Sequence, residues 1–188
     1  DMLDKNGYLK TESILNEWNY LRDWTDNYVY SIEQIIGIKG AAFEAAMMCA
    51  AQNSSIDMLM YYDARPGAFN GLFDYYTMLP LKGYYPFYLF SNLYELENQV
   101  EAESDDEDVY AVCAKNGDKI GAMITYYTEN DNEVSRYVTL DIKGISLDNI
   151  KILLVDEDHT MSDCIWEKDS DSEITIRLER NSIIYIEK

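Results

Sequence analysis

The chain has 188 residues, of which 47% are hydrophobic and 27% charged, with only three prolines; this composition suits a compact fold of one or two domains and excludes disorder over most of its length. Asp and Glu number 35 against 15 Lys and Arg, a formal charge of -20, so nucleic acid and anionic membranes are excluded as expected partners. No apolar run reaches the roughly 18 residues that cross a bilayer, and no basic stretch followed by an apolar one opens the chain, so a soluble protein without an export signal is expected.

Cys49, Cys113 and Cys164 are odd in number, widely spaced and form no C-x-x-C pair. They are expected to be small buried hydrophobes in a reducing compartment, with the cytoplasm as default and no structural zinc. No cofactor or metal is expected. The chain opens on Asp1 with Met2 behind it, as a processed or subcloned piece of something longer would.

The first predicted element is a short buried strand over 13–18, Ser13-Ile14-Leu15-Asn16-Glu17-Trp18. Ser31-Ile32-Glu33-Gln34 has a capping-box pattern and is expected to start a helix running to about Asn53. Gly37 and Gly40 predict a break in its first turns, while Ala41, Ala42, Ala45, Ala46, Ala50 and Ala51 give later turns high propensity and a thin face for packing on a sheet. Residues 56–62, Ile56-Asp57-Met58-Leu59-Met60-Tyr61-Tyr62, are nearly continuously apolar and read as a strand buried on both faces. Strand, helix and strand imply a parallel crossover. Loop signals follow through Asp63-Ala64-Arg65-Pro66-Gly67 and Asn70-Gly71-Leu72-Phe73-Asp74. A second helix is expected from near Tyr84, with Phe87, Phe90, Leu93, Tyr94 and Leu96 as its apolar stripe.

Six acids in the eight residues 101–108 should form a solvated turn or linker, which places a domain boundary near residue 98 and divides the chain into 1–98 and 99–188. The charge divides with it: residues 1–100 have net charge -7 and residues 101–188 have -13. Beyond the boundary the period changes. β-branched or aromatic runs at 109–115, 119–128, 136–142, 150–156, 173–179 and 182–187, with Asn116-Gly117-Asp118 as a hairpin turn, predict an antiparallel β-sandwich separate from the first part.

In a parallel unit the chemistry gathers at the carboxyl ends of the strands. There the sequence puts Asn16-Glu17-Trp18-Asn19 and Tyr61-Tyr62-Asp63-Ala64-Arg65, a carboxylate among flat aromatic rings that suits a polyhydroxylated ligand. These residues, with Lys39-Gly40-Ala41-Ala42-Phe43, Asn70-Gly71-Leu72-Phe73 and Pro80-Leu81-Lys82-Gly83-Tyr84-Tyr85, resemble the C-terminal end of a clan A glycoside hydrolase close to family 39 and its β-xylosidase-like relatives. The resemblance implies an α/β plus all-β chain: the last two βα units of a (β/α)8 barrel, then a β-sandwich. It implies Glu17 as the nucleophile of a retaining hydrolase acting on β-linked glycosides; by position Asn16, Tyr61, Tyr62 and Arg65 are the expected substrate contacts, and because a nucleophile must stay ionised, Arg65 or tyrosine hydroxyls are the expected donors around it. A whole barrel takes about 250 residues, so the resemblance puts the general acid/base outside this chain. It also makes the missing N-terminal barrel portion, or a second copy of the chain, a partner besides carbohydrate. The competing expectation is a non-catalytic carbohydrate-binding or interaction module.

The remaining signals predict structure. His159, the one histidine, sits in a turn. The 129–133 and 169–173 segments alternate oxygen ligands without the glycine and distal glutamate of a calcium loop. Tyr126, Tyr127 and Trp166 are expected to pack within the sandwich.

Overall fold

The computed structural model describes residues 2–67 and 71–188; Asp1 and Asn70, which stand in the readings of the chain start and the loop after the second strand, lie outside them. The described residues are mixed, mainly β, with four helices. After a short helix α1 (Met2–Lys5), strand β1 (Ile14–Trp18) leads through helices α2 (Tyr28–Ile35) and α3 (Ile38–Gln52) to β2 (Met58–Tyr61), and helix α4 (Tyr84–Tyr94) follows. β1 and β2 pair in parallel, as the strand, helix and strand pattern requires.

The helix break is real: α2 and α3 meet at 80°. A side chain at Gly40 would stand 2.8 Å from the Gln34 carbonyl oxygen and from the Ile35 Cα, so only glycine lets the two axes come this close. The start of α2 differs from expectation. Asn27 occupies the N-cap position, and Ser31 lies within the helix, its hydroxyl donating to the Asn27 carbonyl at 2.7 Å and accepting the Arg22 amide at 3.0 Å. This is the back-bonding that a helical serine adopts when it is not the cap.

Nine strands follow: β3 (Asn98–Val100), β4 (Val109–Asn116), β5 (Lys119–Tyr126), β6 (Arg136–Asp141), β7 (Lys151–Val155), β8 (Thr160–Asp163), β9 (Trp166–Lys168), β10 (Glu173–Leu178) and β11 (Ser182–Glu187). They form a six-stranded sheet in the order β3-β4-β5-β11-β7-β8 and a three-stranded sheet in the order β6-β10-β9, with every pairing antiparallel. Period-two alternation sends the large sheet's side chains into two separate cores. Val112, Met123, Leu153, Ile183 and Tyr185 face the helices and join Ala41, Ala45, Leu89 and Leu93. Ile124, Tyr126, Ile152, Ile184 and Ile186 face the small sheet and meet Ile174, Ile176 and Leu178. Hence β11 is buried along nearly its whole length.

The expected separation of sandwich from helices is not what the molecule does. The first core also takes in Trp18, Leu15, Leu59 and Tyr61, so α3 and α4 form a layer between the parallel pair and the large sheet. The alanine-rich face of α3 supplies the thinness this needs. On α4, Leu89 and Leu93 are buried whereas Tyr94 is turned outward, so the stripe lies one residue round from its expected place at that end. β2 departs in one respect from a strand buried on both faces. Leu59 and Tyr61 pack on the helices, but Met58 and Met60 are 42% and 46% exposed, because no described residue lies over the outer face.

Candidate active site

The end of β1 is fixed by Trp18, whose ring packs edge-on to Tyr61 at 5.3 Å, parallel to Phe87 at 6.4 Å and against Phe43 at 6.3 Å. Leu15 belongs to the same core. Leu15 and Trp18 are three residues apart, yet both face the helices. The register explains how: Leu15 stands opposite Leu59 and Trp18 opposite Tyr61, three steps on β1 against two on β2, a β-bulge at Asn16 and Glu17. A bulge breaks the alternation and re-aims side chains. Here it leaves both Asn16 and Glu17 exposed.

Beyond the bulge the strand ends are tied together. The Tyr62 amide donates to the Trp18 carbonyl at 2.9 Å, and the Asn19 side-chain amide donates to the Tyr62 carbonyl at 2.6 Å. The Tyr62–Asp63 peptide bond is cis. Beside these strand ends lies an open cleft of about 370 Å³ lined by Glu17, Trp18, Asn19, Leu21, Trp24 and Tyr62. Glu17 is the one carboxylate in that lining, and no described residue forms an ion pair or hydrogen bond with it.

Of the residues singled out in the sequence, the structure brings Glu17 and Tyr62 into this cleft and leaves Asn16 exposed beside it at the bulge. Tyr61 faces inward instead, its hydroxyl accepting the Gly71 amide at 3.3 Å, because strand alternation gives it the helix side of β2. Arg65 is turned to Asp63 at 3.5 Å with its side chain 79% exposed, and its amide donates to the same carboxylate at 3.0 Å. Arg65 and the Tyr61 hydroxyl, two of the donors expected around Glu17, are thus committed elsewhere.

Sequence reasoning missed Trp24. It stands in the β1–α2 loop, which Asp23 holds: Oδ1 accepts from the Thr25 amide at 2.7 Å, the Thr25 hydroxyl at 3.1 Å and the Asn27 amide at 3.1 Å, and Oδ2 from the Asn27 side chain at 2.6 Å. These bonds, the Asn27 side-chain one foremost, lower the Asp23 pKa to about 2. Asp23-x-Thr25-x-Asn27 was the available signal, since closely spaced Asp, Thr and Asn mark side-chain-locked turns.

A second polar cluster sits behind this loop and binds α2 and α3 to the sandwich. The Lys39 ammonium, 3% exposed, donates to the Tyr30 hydroxyl at 2.8 Å, the Asp131 carboxylate at 3.0 Å and the Glu129 carbonyl at 3.1 Å. Glu129 also takes Arg22, the Tyr127 hydroxyl and, at 3.1 Å, the Tyr20 hydroxyl. Desolvation lowers the Lys39 pKa, but Tyr30, Asp131 and Glu129 outweigh it and the net direction is upward. The 129–133 oxygens are therefore engaged with cations of the protein itself. Tyr126 is buried beneath Arg136, whose guanidinium lies 4.6 Å from the ring centre. Tyr127 packs on Phe43, and Trp166 packs against the second core. His159 pairs through Nδ1 with Asp156 at 2.8 Å in its turn. The three cysteines are free thiols, and burial pushes Cys49 up to about 12. No helix of the described residues is by itself long and apolar enough to cross a membrane.

In sequence, no protein-family model and no curated protein matches the chain. In structure it is similar to glycoside hydrolases. A glucosidase from Croceicoccus marinus superposes with a TM-score of 0.70 at 18% identity, over 99% of this chain and 47% of that one. The family 30 subfamily 8 xylanase from Clostridium acetobutylicum gives 0.67 at 11% identity, over 94% and 42%. A family 44 xyloglucanase from Paenibacillus polymyxa gives 0.66 at 12% identity, over 98% and 33%. At these identities the likeness is one of fold. The chain spans a third to just under half of these structures.

Proposed function

We propose that this chain is the nucleophile-bearing C-terminal part of a retaining glycoside hydrolase acting on β-linked glycosides. In this reading β1, β2 and their helices are the last two βα units of a (β/α)8 barrel, and residues 99–188 are its accompanying sandwich. The observation that carries the reading is the bulge. It turns Glu17 out of strand alternation into an open cleft at the carboxyl end of a parallel strand pair, where barrel enzymes of many kinds keep their reacting groups.

The chemistry follows from one carboxylate. A Glu17 oxygen attacks the anomeric carbon and the glycosidic C–O bond breaks, giving a glycosyl ester; water then attacks the same carbon and frees the sugar and the carboxylate. The leaving oxygen needs a proton from a second carboxyl roughly 5 to 5.5 Å from the first, and the described cleft lining has none. That group belongs to the remaining barrel strands. In this reading Tyr62, in the cleft, and Asn16, exposed beside it, would contact the sugar, whereas Arg65 is engaged with Asp63. The outer face formed by Ile14, Met58 and Met60 is where the rest of the barrel, or a second copy of the chain, would pack.

In the protein joined to those strands, Glu17→Ala lowers turnover by about a thousandfold or more, and added azide restores part of it as a glycosyl azide of inverted configuration. Full activity of the alanine variant transfers the nucleophile elsewhere. The single carboxylate also fits a second reading, a non-catalytic carbohydrate-binding module. Turnover that does not depend on Glu17, or is absent from the joined protein, would favour it.

A further inference from the structure

Trp24 is 67% exposed, a large apolar ring left at the surface just beyond β1, whereas Trp18 at the end of that strand is buried in the core. Its exposure is not the exposure of a loose loop. The indole stacks on Tyr28 in the first turn of α2, with centroids 6.0 Å apart and planes 25° from parallel. The backbone on either side is pinned by the four hydrogen bonds to Asp23. A ring held from behind by a second ring and from below by its own loop has lost its freedom before any ligand arrives, and that removes much of the ordering cost of binding.

The same ring lines the cleft together with Glu17 and Tyr62. We infer that Trp24 is a sugar-stacking platform, a subsite for a pyranose unit of a β-linked glycan adjoining the unit that Glu17 would attack. The naming of a glycan rests on the hydrolase reading; the platform itself rests on the exposure, the stack and the cleft. A pyranose with equatorial substituents offers a flat face of C–H groups to an indole and a rim of hydroxyls to Asn19, Tyr62 and Glu17. An anionic ligand is disfavoured, since the lining holds a carboxylate and no cation in a chain of charge -20. A small quaternary ammonium is attracted to indole rings within closed aromatic cages, but this cleft is open.

The test uses this chain and follows its three indole N–H signals by two-dimensional NMR, with Trp24 assigned from the Trp24→Phe variant. Xylohexaose and cellohexaose are titrated to about 20 mM, with choline chloride as the cationic comparison. One of the two hexasaccharides should move the Trp24 signal saturably, with the Trp166 signal unmoved. Read by the backbone amide signals of the cleft lining, Trp24→Ala should weaken binding about tenfold, and Trp24→Tyr should keep part of it. No Trp24 response to either sugar, a response that survives Trp24→Ala, or saturation by choline in their place would overturn the platform. The Glu17 experiment reads turnover in the joined protein, so the two readings fail separately: a Trp24 response in a protein whose turnover ignores Glu17 sinks the nucleophile and leaves the platform.

Discussion

Glu44 provides the sharpest test of the energetics. It lies on α3, fully buried, with neither carboxyl oxygen in hydrogen-bond geometry to a described partner. Burial raises its pKa well above the ordinary 4.5, more than the Tyr61 hydroxyl can offset, and no charged group enters the balance. In the folded protein Glu44 is thus the neutral acid, and the sign of its linkage follows. Below the ordinary carboxylate value both states hold the proton and folding is unaffected. As pH rises past it the unfolded chain ionises while the folded one does not, and stability falls by about 1.4 kcal/mol per pH unit until the folded pKa is reached. The wild type is therefore less stable at pH 7 than at pH 5 by the contribution of this one group. Other shifted groups leave this window clear. Asp23, Asp74, Asp106, Glu129 and Asp131 are lowered and titrate below it, whereas Tyr20, Tyr61 and Tyr127 are raised and titrate above it. Urea unfolding at pH 5, 6 and 7 and constant ionic strength, read by tryptophan fluorescence and far-ultraviolet dichroism, should show the wild type weakening with pH. Glu44→Gln should be nearly flat and gain on the wild type as pH rises. Parallel slopes for the two proteins would refute the argument.

Lys39→Met strands Glu129, Asp131 and the Tyr30 hydroxyl around a vanished ammonium; since the two carboxylates are half exposed, the expected loss is about 2 kcal/mol in urea unfolding at neutral pH, below the cost of breaking a wholly buried pair. Gly71→Ala puts a Cβ 1.9 Å from the Ile35 carbonyl oxygen, a backbone clash that side-chain rotation cannot relieve, so a fall in Tm of well over about 5 °C is expected by calorimetry. This chain alone should show no turnover of aryl β-glycosides, and turnover abolished by Glu17→Gln would mean that its cleft already contains a working acid.

The strands with strong alternation were legible from sequence, and so were the α2–α3 break and the parallel crossover, because a period or a glycine marked each. β3, β8 and β9 were not. At three or four residues, Asn98–Val100, Thr160–Asp163 and Trp166–Lys168 are too short to show a period, and they pair because longer neighbours present an edge to them. Sequence showed Glu17 at a strand end but could not show the bulge, since a bulge is a mismatch between two strands and neither strand records it. For the same reason it assigned Tyr61 to the cleft: the face a strand residue takes depends on which side the helices cover. Arg65 was read as a donor to Glu17 because it follows the carboxyl end of the second strand, yet Asp63, two residues away, is the partner that local geometry supplies.

The arrangement also explains how two parallel strands persist with one face uncovered. A two-stranded sheet is at best marginally stable in water, and β1–β2 has Ile14, Met58 and Met60 exposed on its outer side. Its inner side is another matter. Leu15, Trp18, Leu59 and Tyr61 are packed into the same core as α3, α4 and the large sheet, and Lys39 and Lys82 tie the helical layer to the sandwich, Lys82 through the His159 carbonyl at 2.7 Å and the Thr160 hydroxyl at 2.9 Å. The pair is therefore carried by the sandwich. The bulge, the zipped ends at Trp18 and Tyr62, and the pinned Trp24 loop all lie on or beside this supported side, so the cleft keeps its geometry before anything covers the outer face. A site built this way has Glu17 and Trp24 positioned by the sandwich side of the molecule.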